Sequence, residues 1–219
     1  HHDMTKSDVA KRIVDAATLS NCVGLLVSTP CATWSAARYN GDGPPVLRNL
    51  THPLGIPDKD GKIPYQVQRA NDILDVAIDA AWAVVSHGGV YLFESPPSRA
   101  HGSPHSIEGR EDHAAMWTYP RMLKLSRAYR SLSVIFDQCR VGASSMKTTE
   151  LLASPDIFDA VVAEFGLLRC NHMGCRKLSL LGPNGPGTAA NSEVYTSAMC
   201  ERLSKCFLRF FNSTGDPED

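Results

Sequence analysis

Three short apolar runs, each closely followed by a turn-forming or polar residue, predict the strands of a buried sheet. They are VGLLV at 23–27, VYLF at 90–93 and LSVIF at 132–136. Apolar runs of roughly four to eight residues are typical of strands covered on both faces, as in parallel sheets. Pro30, Glu94 and Asp137 follow these runs. We therefore expect three adjacent strand ends at one edge of the sheet, where α/β proteins bind their ligands.

Helical spacing of apolar residues predicts helices between and after these strands. The predicted ranges are 7–19, 65–86, 113–130, 155–165 and 191–211, with Ser7 as the N-cap of the first helix and Pro120 kinking or restarting the third. Residues 40–64, crowded with Gly and Pro, and the His-rich residues 98–112 predict loops. This alternation predicts an α/β fold with a Rossmann-like, mostly parallel sheet and flanking helices.

Length and composition indicate one globular domain. The chain has 219 residues, of which 43% are hydrophobic and 21% charged. We assign residues 1–215 to a single domain and 216–219 to a disordered acidic tail. The net charge of −1 excludes a globally basic nucleic-acid binder, although it allows a local basic face.

The number of cysteines helps to predict the cellular compartment of the protein. The chain has seven cysteines, an odd number, without a signal peptide or an apolar segment of the roughly 20 residues that span a bilayer. We therefore expect an intracellular protein, nuclear or cytoplasmic, that is not secreted and does not bind membranes.

Cys31 and Glu94 are the chemically distinctive residues at the predicted strand ends. A cysteine and a carboxylate that converge there indicate covalent catalysis with acid assistance. An inert, half-buried thiol is the alternative for Cys31, because free cysteine is among the most buried residue types.

The order of three short motifs carries a family resemblance. A strand leads into Pro-Cys, a small residue, an aromatic residue and Ser; a second leads into Glu-X-Pro; and Gly-X-X-X-X-Lys-X-Thr follows a third. This order resembles the catalytic core of the cytosine-C5 DNA methyltransferases. The resemblance implies that Cys31 adds to C6 of cytosine and that Glu94 keeps N3 protonated. It also places Ser145, Lys147 and Thr149 where the family has a glutamine and two arginines, and it makes Lys147 a catalytic residue.

The same resemblance implies S-adenosylmethionine as the cofactor and nucleic acid, DNA or RNA, as the partner. Asp3, Pro30, Asn191 and Val194 match positions around the cofactor. Trp34, Ser35 and Arg38 lie in the cysteine loop and are expected to contact the substrate, Trp34 by stacking on an extruded base. Arg38, Arg48 or Lys147 would stabilise the thiolate. The family's Gly-rich cofactor motif is missing, so the core is incomplete, and we expect either a fragment of a larger polypeptide with other domains or a lost half-pocket.

Other interpretations stay open. The C-x-H-x-x-C spacing of Cys170, His172 and Cys175 could bind zinc with Cys139 as the fourth ligand, although short Cys/His clusters are often coincidental. A second function is an inactive module that binds nucleic acid or protein in a larger assembly. A third is a Cys-His hydrolase that pairs Cys31 with His52 or His87. In the polar loop we expect His101, His105 and His113 to be solvated.

Overall fold

The computed structural model describes residues 3–39, 44–144, 146–171 and 195–214. In these ranges a four-stranded sheet has the order β1-β2-β4-β3. Its strands are β1 (Gly24–Ser28), β2 (Val90–Ser95), β3 (Leu132–Asp137) and β4 (Thr148–Ala153). The helices are α1 (Ser7–Ala17), α2 (Tyr65–Ser86), α3 (Pro120–Tyr129), α4 (Pro155–Phe165) and α5 (Ser197–Thr214). The protein is therefore α/β.

The sheet is mixed, so the prediction of a mostly parallel sheet is wrong. β1 pairs with β2 in parallel, whereas β4 is antiparallel to both β2 and β3. The reason is the connection from β3 to β4, residues 138–147, which is too short for the helical crossover that joins parallel neighbours. β1, β2 and β3 nevertheless run in the same direction. Their carboxyl ends therefore share one edge of the sheet, as expected, but the ends of β2 and β3 are not adjacent, because β4 lies between these two strands.

Both faces of the sheet are buried. On one face, Leu92 and Leu151 pack with residues of α4 and α5. On the other, Phe93 and Leu152 pack with residues of α2 and α3. Because successive side chains of a strand point to opposite faces, Glu94 lies on the α4/α5 face and Ser95 on the α2/α3 face.

The apolar pattern locates most helices correctly. The predicted ranges of α2 and α4 coincide with the structure. α1 is preceded by Lys6 rather than capped by Ser7, and α3 begins at Pro120 because proline is compatible with the first turn of a helix. Residues 191–194 of the last predicted helix lie outside the described residues. Within the described part of the chain, none of the helices is both long enough and apolar enough to cross a membrane.

Candidate functional site

The carboxylate of Glu94 is the centre of the candidate site. Ser28 and Glu94 are directly paired across β1 and β2. The Ser28 hydroxyl donates to Glu94 Oε2 at 2.8 Å, and the Tyr195 hydroxyl donates to the same oxygen at 2.9 Å. Glu94 is only 4% exposed. One of its oxygens is therefore held in place by two hydroxyl groups.

The second oxygen of Glu94 has no such support. Glu94 Oε1 is buried and has no hydrogen-bond partner among the residues that the structure describes. A buried polar atom without a partner costs about 1–3 kcal/mol. Such an atom in a native structure calls for an explanation, and a ligand that supplies the missing bond is one.

Tyr195 is a site residue that the sequence does not predict. It lies 101 residues after Glu94, just before α5. Burial, and then the negative charge of Glu94, raise the pKa of its phenol. Tyr195 therefore remains protonated and acts as a donor to Glu94. No local motif marks it, because its role depends on the packing of α5 against the sheet.

Cys31 lies at the same edge of the sheet as Glu94. It follows Ser28 by three residues, and three residues span at most about 11 Å. The carbonyl of Cys31 accepts a hydrogen bond from the Trp34 amide at 2.9 Å, which closes a tight turn around the half-buried cysteine. The strand that precedes Cys31 thus ends beside Glu94, and the approach of the Cys31 thiol to Glu94 stays a prediction.

Arg48 holds the cysteine loop and does not serve the predicted role beside the thiolate. Its guanidinium lies 3.4 Å from the centre of the Trp34 ring. It donates to Thr33 Oγ1 at 3.2 Å, to the Pro53 carbonyl at 2.8 Å and to the Val67 carbonyl at 3.2 Å. Burial lowers the pKa of Arg48 to about 10. Its donors are therefore engaged in fixing the loop to α2.

Trp34 belongs to the core, so the prediction that it stacks on a base is wrong. Its side chain is 1% exposed and meets the Tyr119 ring edge-on, with the ring centres 5.7 Å apart. With Arg48 over its ring, it offers no exposed face to a base. An apolar ring near a strand end packs readily against α2 and α3, which the local sequence does not reveal.

Ser35 and Arg38 also stabilise the cysteine loop. Ser35 Oγ accepts from the Ala37 amide at 3.2 Å. Arg38 donates to the Ala32 carbonyl at 2.6 Å and to the Pro45 carbonyl at 2.9 Å. Both predicted substrate residues therefore shape the loop that presents Cys31.

His113 connects the cysteine loop to the loop that follows β2. Its Nδ1 accepts a hydrogen bond from the Arg99 amide at 3.1 Å, so Nε2 carries the proton and donates to the Trp34 carbonyl at 2.9 Å. Burial lowers its pKa, which favours the neutral imidazole that these bonds require. The expectation of a solvated His113 is wrong, because the side chain is buried.

Thr149 and Lys147 differ in access to the site. Thr149 is fully buried, and its Oγ1 accepts from Gln138 Nε2 at 3.0 Å, so its predicted contact with substrate is wrong. The Thr149 side chain is covered on its face of the sheet, so it has no surface that a ligand could reach. Lys147 directly precedes β4, and its carbonyl accepts from the Gln138 amide at 3.0 Å. Ser145 lies outside the described residues.

Two of the predicted cofactor residues line one cavity. Asp3 and Pro30 border a space of about 400 Å³ beside β1, with Arg69 and the apolar Leu25 and Ile73. Hydrogen bonds from Thr5 lower the pKa of Asp3, whose carboxylate lies 3.5 Å from Arg69. A carboxylate, a cation and apolar walls fit the hydroxyl, carboxylate and adenine groups of S-adenosylmethionine. Asn191 and Val194 lie outside the described residues.

The zinc prediction falls partly on residues that the structure does not describe. Cys139 and Cys170 are half-buried, while His172 and Cys175 lie outside the described ranges. Among the residues that are described, no group of three or more potential ligands is suited to hold a metal ion.

His87 cannot be the catalytic partner of Cys31. Its Nε2 lies 3.2 Å from the Cys22 carbonyl, which precedes β1, whereas Cys31 follows β1. The two side chains thus lie at opposite ends of the sheet. The other predicted partner, His52, is exposed, and its Nδ1 lies 3.2 Å from Asn49 Oδ1.

The chain matches no known family model, no curated protein and no solved structure. The residues and their geometry are therefore the only basis for assigning a function.

Proposed function

We propose that the protein is a divergent, incomplete cytosine-C5 methyltransferase core that acts on nucleic acid, with Cys31 as nucleophile and Glu94 as acid. The supporting observation is Glu94 Oε1, a buried oxygen without a hydrogen-bond partner in the described chain. Oε2 is fixed by the two hydrogen bonds that it accepts, so Oε1 is the atom that we assign to proton exchange with N3 of the base.

The chemistry requires both residues at once. Attack of the Cys31 thiolate on C6 forms the sulfur–carbon bond, while the proton from Glu94 neutralises N3 and makes C5 nucleophilic. Asp3, Pro30 and Arg69 would hold S-adenosylmethionine, which would supply a methyl group for C5 and leave as S-adenosylhomocysteine. When C5 loses its proton to solvent, the C5–C6 double bond re-forms, the sulfur–carbon bond to Cys31 breaks to release the thiolate, and the N3 proton returns to Glu94. A base inside a duplex must first be extruded, and the Gly/Pro-rich residues 44–64 lie next to the cysteine loop to receive it.

Covalent trapping with oligonucleotides that contain 5-fluorocytosine tests this proposal. Fluorine at C5 blocks the final elimination, so a working site accumulates a protein–nucleic acid adduct. We expect an adduct that depends on S-adenosylmethionine and is abolished by Cys31→Ser. The matched control is Cys22→Ser, a half-buried cysteine that precedes β1, which leaves the adduct unchanged. DNA and RNA versions distinguish the two substrates.

Other outcomes reject the proposal in defined ways. If the full chain forms no adduct with either nucleic acid, the alternative of an inactive binding module replaces it. If an acyl-directed electrophile inactivates the protein through Cys31 while no adduct forms, a hydrolase is the better assignment.

A further inference from the structure

A second cavity lies on the opposite face of the sheet from Glu94. We call it the Glu150 pocket; it has a volume of about 460 Å³, and its walls include Glu150, Ser133, Trp117, His101, His105 and Pro97. Glu150 is paired with Ser95, the residue after Glu94, so its side chain lies on the α2/α3 face. The volume is in the range of small-molecule sites, about 300–1,000 Å³.

Glu150 has the properties of a binding group. Burial raises its pKa to about 6, and the side chain of Ser133 is hydrogen-bonded to it. No ion pair joins it to a cation in the described ranges. Directly across the strand pairing, Ser95 Oγ is buried and has no hydrogen-bond partner among the described residues. At neutral pH the pocket therefore presents a carboxylate that lacks a cationic partner.

Positively charged side chains lie near the pocket, although they are not among the residues that line it. His105 lines the pocket, and its carbonyl accepts from Arg99 Nη1 at 3.3 Å. The positive charges of Arg110 and Arg169 act on Arg99, and that of Arg169 also acts on His105. Asp137 is the acidic group that acts on Arg99 and His105; it is buried, and its Oδ2 lies 3.4 Å from Arg169 Nε. Asp137 is thus the acidic partner of Arg169, and Arg99 and His105 lie within reach of both charges.

We propose that the Glu150 pocket binds a guanine nucleotide, with the base on Glu150 and the phosphate on Arg99 and Arg169. A carboxylate accepts two parallel N–H bonds well, and guanine presents two adjacent donors, N1–H and its 2-amino group. Apolar and aromatic walls, among them Pro97 and Trp117, suit a flat ring. Guanidinium groups are the preferred protein partners of phosphate.

The inference does not depend on the reaction at Cys31. Glu94 and Glu150 point to opposite faces of the sheet, and Cys31 is not among the residues that line the Glu150 pocket. Binding is therefore measured with full-length Cys31→Ser protein, in which covalent chemistry at that position is removed, so failure here leaves the trapping result unaffected.

Calorimetric titration with GMP, inosine monophosphate, AMP and CMP at pH 7.5 tests the pocket. We expect GMP to bind most tightly, and inosine monophosphate, which lacks the 2-amino group, about tenfold more weakly. Glu150→Gln weakens GMP binding about tenfold to a hundredfold, because the amide replaces an acceptor with a donor. Glu108→Gln is the matched control and has no effect, because Glu108 is exposed and lies in the loop after β2 rather than in β4.

Two further measurements test the contribution of the phosphate to binding and the protonation state of Glu150. Guanosine binds more weakly than GMP, and Arg169→Lys or Arg99→Lys reduces that difference. GMP affinity falls as pH drops through about 6, since protonation removes the carboxylate. Burial lowers the pKa of the flanking His105, which gains positive charge as the pH falls further and then favours phosphate, so Glu150→Gln reverses the sign of the pH dependence.

The source of the nucleotide follows from one comparison. Tighter binding of a short guanine-containing oligonucleotide than of GMP indicates a polynucleotide, and equal binding indicates a free nucleotide. Equal affinity for all four mononucleotides, no binding at millimolar GMP, or unchanged GMP binding in Glu150→Gln would each overturn the proposal.

Discussion

Glu94 and Glu150 sit on neighbouring strands in nearly adjacent register, yet their surroundings differ. One oxygen of Glu94 accepts hydrogen bonds from two hydroxyl groups, and the other has no partner in the described chain. The residue is only 4% exposed. Glu150 faces a cavity and is hydrogen-bonded to Ser133. The period of two along a strand is what sends the two carboxyl groups to opposite faces.

The comparison shows how one strand pairing can support two kinds of site. A fixed carboxyl group with one free oxygen suits proton transfer at a defined atom. A carboxylate at the wall of an open cavity suits recognition of a ligand edge. Substitutions at the two positions should therefore separate chemistry from binding.

Covalent trapping should show the largest difference between the effects of substitutions at Glu94 and at Glu150. Glu94→Gln should slow adduct formation with 5-fluorocytosine at least a hundredfold, the usual contribution of a general acid being about 10²–10⁴. Glu150→Gln should change that rate less than about twofold on an oligonucleotide that contains no guanine. Rates are measured from the gel shift of the adduct over time. Equal slowing by both variants would mean that the two carboxyl groups belong to one site.

His113 joins the two regions, so its loss should affect both. Its imidazole bonds the Trp34 carbonyl in the cysteine loop and the Arg99 amide beside the Glu150 pocket. His113→Ala should lower the free energy of unfolding by about 2 kcal/mol, since two buried groups lose their partner. It should also weaken GMP binding. Denaturant titration measures the first effect; His101→Ala, an exposed histidine nearby, is the control and stays within about 0.5 kcal/mol.

The pKa of His113 also predicts a pH dependence. Its folded pKa lies below the unfolded value, so the unfolded state binds the proton more readily. Stability should therefore fall as pH drops below about 6.5. An unchanged acid limb in His113→Ala would show that this histidine is not the cause.

Substitution of Tyr195 tests whether covalent trapping requires the carboxyl group of Glu94 to be held in one orientation. Tyr195→Phe removes one of the two hydroxyl donors to Oε2 and should slow trapping about tenfold, the equivalent of one hydrogen bond to a charged group. Tyr65→Phe, at a tyrosine that is 76% exposed, is the matched control. If Tyr195 only packs, the rate stays unchanged while the melting temperature falls.

The apolar pattern predicts the edge of the sheet at which β1, the strand before Cys31, and β2, which carries Glu94, both end, because strand runs and their polar ends are local features. It does not predict β4, whose first half, Thr148–Glu150, is polar although it lies between two strands. The Tyr195 contact and the pairing of Glu150 with Ser95 arise only when distant segments pack. The sequence does not predict the role of Arg48 either, since its hydrogen-bond partners belong to three separate segments of the chain.

The smallest expected effect concerns the stability contributed by Glu150 itself. Its folded pKa of about 6 lies above the usual value near 4.5, so the native state holds the proton more tightly than the unfolded chain. This contribution is complete below about pH 4.5 and is lost as pH rises through 6. A shift of this size corresponds to at most about 2 kcal/mol, and solvent access at the cavity reduces it to about 1 kcal/mol. Thermal melts of the wild-type protein and Glu150→Gln between pH 4.5 and 7 measure it. The variant should gain relative stability as pH rises, opposite in sign to the His113 effect, and parallel curves would show that Glu150 is as hydrated in the folded protein as in the unfolded chain.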